Sequence, residues 1–188
     1  MRKLIGLMLL LGLFSLAAVA QESYSKAEVF GGYQYTRFGS PCSGCSGANA
    51  NGWDTSLTGN LNNWFGIAAD FSGAYASPSG VPLHTYTYTF GPQVTMRRGG
   101  GFTPFAHALF GGFHTSADFS SLFGSGATAS TNGFAFMLGG GADVKIAKSM
   151  DLRAIQFDWL SLHDNDLARL GTSLNKNVRI ATGVVLHF

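Results

Sequence analysis

Beyond its first twenty residues this sequence has no apolar run near the 18 to 20 residues that a membrane-spanning helix needs, which excludes a helical membrane protein. Charge is scarce as well: Asp, Glu, Lys and Arg together make up 12 % of the 188 residues. Setting aside Arg2 and Lys3 leaves 10 basic against 10 acidic side chains, so no overall field favours nucleic acid or another highly charged partner. Cysteine occurs only at 42 and 45. What the chain does contain in quantity is Gly, Phe and Tyr, with 26, 16 and 6 copies, set among Ser and Thr.

The N-terminus carries Arg2 and Lys3, an apolar stretch over 4–14, the small residues Ala18-Val19-Ala20 and then polar Gln21-Glu22. That is the layout of a secretory signal peptide cleaved after Ala20, against the alternative of a retained helix. No cysteine sits just after the cleavage point to take a lipid anchor. Residues 1–20 are therefore read as a signal peptide and 21–188 as one domain.

Strand-period alternation dominates the rest. Over 84–97, His84, Tyr86, Tyr88, Phe90, Pro92, Val94 and Met96 share one face, and Thr85, Thr87, Thr89, Gly91, Gln93, Thr95 and Arg97 the other. Eight such segments can be marked, at 26–38, 52–59, 64–75, 84–97, 103–115, 131–146, 150–161 and 178–188, joined by connectors that alternate short and long. A soluble β-sandwich would place its charged face in bulk water, with many Lys and Glu. Here the polar face is mostly Gly, Ser and Thr with an occasional ion, which suits a narrow lumen behind a lipid-facing aromatic surface. The fold class is all-β: an eight-stranded antiparallel up-and-down transmembrane β-barrel, with short turns in the periplasm and long loops outside. Tyr35, Trp53, Tyr75, Tyr86 and Trp159 fall near the loop-bearing strand ends, where an interfacial aromatic belt belongs.

Two segments break the alternation. Over 103–115 both faces are apolar, which leaves the orientation of His107 undecided. Arg153 shares the parity of Ile155, Phe157 and Trp159, and a lipid-facing Arg would cost up to about 2–4 kcal/mol near the midplane. A one-residue bulge near Ala154 and Ile155 would turn Arg153, Gln156 and Asp158 all inward.

The last strand alternates Val178, Ile180, Thr182, Val184, Leu186 and Phe188 with Arg179, Ala181, Gly183, Val185 and His187. Together with Val29-Phe30-Gly31-Gly32-Tyr33, Phe65-Gly66-Ile67-Ala68-Ala69-Asp70-Phe71, Thr103-Pro104-Phe105 and Gly139-Gly140-Gly141-Ala142-Asp143, it resembles the small outer-membrane β-barrel family that includes the OmpA transmembrane domain and OmpX. The resemblance implies location in the bacterial outer membrane, and outer-membrane lipids as surroundings. It also implies that Ile180, Val184, Leu186 and Phe188 are an assembly signal read by the insertion machinery. It implies little about activity. A peptidoglycan-binding domain like that of full-length OmpA is not present, so wall tethering is not carried over.

Chemistry-like features have plain alternatives. Cys42-Ser43-Gly44-Cys45 lies in a loop, where an oxidised small-loop disulfide competes with a metal site and with free or intermolecular thiols. Zinc would need two more ligands, for which His84, His114 and His163 stand near outer loops. Asp164-Asn165-Asp166 offers calcium ligands or, more simply, a solvated loop. Gly124-Ser125-Gly126 follows no strand-to-helix pattern and is read as loop. His114 with Ser116 faintly echoes rim-sited lipid hydrolases, without a positioned carboxylate. No catalytic residue, cofactor or metal is assigned.

The expectation is a structural or loop-binding barrel with a side-chain-filled lumen, its extracellular ligand unspecified. The alternatives are a narrow passive pore for ions or small solutes and, further off, a lipid-modifying enzyme. Inward parity collects Glu28, Asp54, Asp70, Asp143, Lys145, Arg97 and Arg179, joined by Arg153 and Asp158 if the bulge is real. Arg179 with Asp158, and Arg153 with Asp143 or Glu28, are the expected ion pairs of a plug.

Overall fold

The computed structural model describes residues 24–40, 46–97, 101–120, 126–163 and 174–188. The proposed signal peptide, Cys42, Cys45 and the Asp164-Asn165-Asp166 run lie outside the described residues. Eight strands form the fold: β1 (Ala27–Arg37), β2 (Asn49–Asn60), β3 (Phe65–Ala76), β4 (Leu83–Thr95), β5 (Phe102–Asp118), β6 (Thr128–Ala147), β7 (Met150–His163) and β8 (Leu174–His187). Each pairs antiparallel with the next, and β1 closes on β8, giving a barrel in strict chain order with no free edge.

Alternation drives this closure. Polar backbone can cross lipid only if every strand is paired on both sides, and a period-2 sequence then sends one row of side chains to lipid and the other to the lumen. Tyr33, Trp53, Ile67, Phe71, Tyr88, Phe90, Leu138, Phe157 and Ile180 face outward and are exposed. Trp53, Tyr75, Tyr86 and Trp159 are outward too, at the outer ends of their strands. There Trp53 Nε1 donates to Tyr75 Oη at 3.0 Å, and Tyr75 stacks edge-on against Tyr86 at 6.1 Å. Such amphipathic rings settle at headgroup depth.

The short turns are made by local chemistry. In the link between β2 and β3, Asn62 Oδ1 accepts the backbone N–H groups of Trp64 and Phe65, fixing an Asx turn. Gly101 holds φ +73 where the chain enters β5, a left-handed conformation that disfavours any side chain. At the other end of the barrel, β5 and β6 stay paired to Asp118 and Thr128, and β4 accompanies β5 as far as Ala117.

Strand bounds differ from the sequence reading by a few residues. β2 starts at Asn49, because polar Asn49 and Asn51 still pair with Arg37 and Tyr35 of β1. The β7 irregularity sits between Arg153 and Gln156, so Ala154 and Ile155 together occupy the bulge and Arg153, Gln156 and Asp158 all point inward. His107 points inward as well. Lys145 is a correction: although it has inward parity, it lies at the periplasmic mouth beside a second register shift and is exposed.

Candidate functional site

The lumen is where this barrel concentrates buried polar chemistry. Its centre is Arg179 on β8, which is fully buried. Register places it directly opposite Asp158 of β7, and its Nε donates to Asp158 Oδ2 at 2.8 Å. The far side of the same guanidinium crosses to β3, where Nη1 and Nη2 donate to the two oxygens of Asp70, each at 2.9 Å. A planar fork with five N–H donors is the side chain that can join two carboxylates on separate strands. Asp158 also accepts from Gln156 Nε2 at 2.8 Å and has His107 Nε2 at 2.8 Å. Asp54 of β2 lies farther off, with Oδ1 3.5 Å from Arg179 Nη1.

One layer toward the periplasm, Arg153 forks onto Asp143, with Nε to Oδ1 at 2.8 Å and Nη2 to Oδ2 at 3.0 Å. Its remaining arm, Nη1, donates to Gln156 Oε1 at 2.8 Å, so the Gln156 amide links both layers. The guanidinium lies between the rings of Phe30 and Phe105, 4.4 and 4.2 Å from their centroids. A cation held between two ring faces is stabilised most when desolvated, as here. The glycine at 139 makes room for this network: a Cβ there would collide with the Asp158 carboxylate.

At the periplasmic mouth Glu28 pairs with Arg97 and accepts from Asn60 Nδ2 at 2.8 Å. His187 Nε2 stands 3.0 Å from Asp151 Oδ2. Above the ionic layers, apolar side chains fill much of the outer lumen, facing buried hydroxyls such as Thr36, Ser72, Thr85 and Thr87. Phe38, Ala50, Ala74, Leu109, Phe113, Met137, Leu160 and Leu162 form one buried cluster there.

The ion-pair residues singled out in the sequence each have a place among the described residues. Arg179 meets Asp158, and Arg153 meets Asp143; Glu28, the other partner considered for Arg153, is instead taken by Arg97. Asp70, His107 and Gln156 complete the network. His107 carried no usable signal because both faces of its strand are apolar, whereas Asp70 was inward by parity and lacked only a partner across the barrel. The apolar outer cap was not anticipated from a polar-lumen pattern. Ile180, Val184 and Leu186 line the outward row of β8, and Phe188 closes the seam, with its carbonyl accepting from Lys26 and Ala27 N–H and its N–H donating to Ala27.

Among the described residues no three His, Cys, Asp or Glu side chains are placed to hold a metal ion. His114 Nδ1 is engaged by Asn132 Oδ1 at 2.8 Å, on the lipid-facing side of β5.

A closed, all-antiparallel barrel of eight strands with an aromatic exterior defines a transmembrane β-barrel of the bacterial outer membrane. Residues 6–188 match the outer membrane protein beta-barrel domain family, and the chain belongs to it. No curated protein sequence matches the chain. Among solved structures it is similar to Neisserial surface protein A, at 14 % identity and a TM-score of 0.71, covering 89 % of this chain and 100 % of that one. It is similar also to Ail, the attachment invasion locus protein of Yersinia pestis, at 15 % identity and a TM-score of 0.57, covering 87 % and 98 %. OprG of Pseudomonas aeruginosa gives 12 % identity and a TM-score of 0.54, covering 88 % and 96 %. At these identities the likeness is one of fold.

Proposed function

We propose that this protein is a non-conducting outer-membrane barrel, a rigid anchor that presents its outer hairpins and loops for binding, with its lumen closed by its own side chains. One observation carries the reading: the Asp143–Arg153–Gln156–Asp158–Arg179–Asp70 chain of charged and amide groups spans the lumen from β6 to β3. The apolar cluster lies directly above it. Two fixed guanidinium groups and a packed cluster of buried apolar side chains oppose the passage of hydrated ions. Removing either member of such a buried pair leaves an uncompensated charge, so the plug has no cheap open state.

The outer end supports the binding half of the reading. The β5–β6 ladder stays paired out to Asp118 and Thr128, with β4 beside β5 as far as Ala117, so the strands that carry the outer connections are held by backbone pairing to their ends. Ail, by the description of its structure, is an attachment invasion protein. Presentation of outer loops on a firmly paired rim is the feature this chain would use in a role of that kind. Outer-membrane lipids hold the aromatic belt, and the outward row of β8 with Phe188 is the surface offered to the insertion machinery. Catalysis has no part in this reading.

Planar-bilayer recording of the purified full chain tests it. Little steady conductance is expected from wild type, and a large, stable, ion-selective conductance would replace the anchor by the pore.

A further inference from the structure

The Arg179 layer holds more negative charge than its partners balance. Asp54, Asp70 and Asp158, from β2, β3 and β7, are all buried around one guanidinium. The other charged or titratable group of the layer is His107 of β5, against Asp158. Arg153 and Asp143 match each other a layer below, and Glu28 is matched by Arg97 at the mouth. Even with His107 counted as a cation, two positive charges meet three carboxylates.

The excess falls on one residue. Asp70 takes two N–H groups from Arg179, and Asp158 takes donors from Arg179 and Gln156 with His107 beside it. Neither oxygen of Asp54 receives a hydrogen bond, and neither presents surface to solvent. The neighbouring Gln34 Oε1 is in the same condition. Gln34 pairs with Gly52 and Asp54 with Gly32, so the two side chains are diagonal neighbours on the lumen face of β1 and β2. Gln34 cannot turn its amide N–H toward Asp54 without losing the bond from Nε2 to the Gly73 carbonyl, 3.0 Å away. Two buried acceptors therefore occupy diagonal positions on the lumen face, and neither receives a hydrogen bond from the protein. A buried carboxylate with no hydrogen bond, and only a 3.5 Å contact to a guanidinium already shared by two other carboxylates, is driven to neutralise itself or to take a further counter-charge.

We propose that Asp54 is a binding site for one small cation, held between its carboxylate and Gln34 Oε1. The shared chemistry is a single positive charge without a large hydration shell, supplied as a proton or as an alkali ion. The absence of accessible surface at these oxygens favours the proton, which binds a carboxylate without needing a cavity. The site rests on the plugged-lumen reading for its setting, and it gives the plug one charge that the surroundings can add or remove.

Infrared spectra of the refolded full chain in phosphatidylcholine vesicles at neutral pH test this. The wild type should show the carbonyl stretch of one protonated carboxylic acid. That band should vanish in Asp54→Asn and persist in Asp70→Asn. Thermal unfolding should move the opposite way in the two variants, unchanged or later in Asp54→Asn and earlier in Asp70→Asn. Absence of the band, with a wild-type midpoint that rises in sodium or potassium chloride over N-methylglucamine chloride and does not do so in Asp54→Asn, assigns the alkali ion. Neither a band nor a cation-specific rise in wild type overturns the site, as does a band that survives in Asp54→Asn. Both wild-type measurements stand even if a variant fails to fold. Conductance judges the plug separately, so a closed lumen without a bound cation defeats only this site.

Discussion

The two halves of the barrel wall contribute opposite things to the lumen. Every buried Ser and Thr among the described residues sits on β1–β4: Thr36, Ser56, Thr58, Ser72, Thr85, Thr87, Thr89 and Thr95. Both buried arginines sit on β7 and β8, and β5–β8 also supply Phe105, Leu109, Phe113, Met137, Leu160 and Leu162. An eight-stranded barrel has an interior just wide enough for side chains to fill, so bulk on one wall requires small residues on the other. The difference teaches how a narrow lumen closes. One half reaches across, and the other receives, through Asp70 and a floor of short hydroxyls.

The sharpest way to break this division is Arg179→Ala. It strands Asp70 and Asp158 in the lumen without their shared cation, and losing one partner of a buried ionic network costs about 3–5 kcal/mol. Urea unfolding in detergent micelles should shift down accordingly, and planar bilayers should register increased leak. Unchanged stability together with an unchanged silent lumen would show that the reach across from β8 is not what closes it.

Next in size is the apolar cap. Leu109→Ala removes a fully buried side chain packed in the outer cluster, for a loss of about 2–5 kcal/mol. The ionic layers below are untouched, so conductance should stay low while unfolding comes earlier. A leak as large as that of Arg179→Ala would move the seal from the ion pairs to the cap.

Arg153→Lys probes the lower layer more gently. Charge is retained, while the fork onto Asp143 and the contact with the Phe30 and Phe105 rings are weakened. The expected loss is about 1–2 kcal/mol, read as an earlier thermal transition by circular dichroism. An ammonium that performed equally well would mean that the site needs only a point charge.

The same division decided what could be read from the sequence. In β4 the lumen row is Thr85, Thr87, Thr89, Gln93 and Thr95 against Tyr86, Tyr88, Phe90 and Val94, and the faces separate by eye. In β5 the lumen needs Phe105, Leu109 and Phe113 to fill it, so both rows are apolar and the inward turn of His107 leaves no trace. Adjacent-strand pairing made Asp158 with Arg179 legible, since it depends only on counting from a short turn. The bond from Arg179 to Asp70 crosses to a strand three places round the wall, and its register is the sum of several hairpins. The choice of Asp143 over Glu28 for Arg153 was open for the same reason: Asp143 is its register partner on β6, while Glu28 lies nearer the mouth with Arg97.

The smallest effect is expected on the receiving wall, at Ser72. Its hydroxyl meets that of Thr87 at 2.6 Å across the β3–β4 ladder, a pair buried in the lumen but carrying no charge. Ser72→Ala removes one neutral hydrogen bond whose net worth is about 0.5–1.5 kcal/mol. The Thr87 hydroxyl can rotate toward another acceptor, which limits the penalty to the lower part of that range. The unfolding midpoint should therefore fall slightly, and planar bilayers should stay silent, because Arg179 and Asp70 remain joined. Paired with Arg179→Ala in the same membrane system, this substitution measures the contrast between the two walls directly. A loss as large as that of the arginine, or a new conductance, would mean that the hydroxyl floor closes the lumen as much as the side chains that reach it.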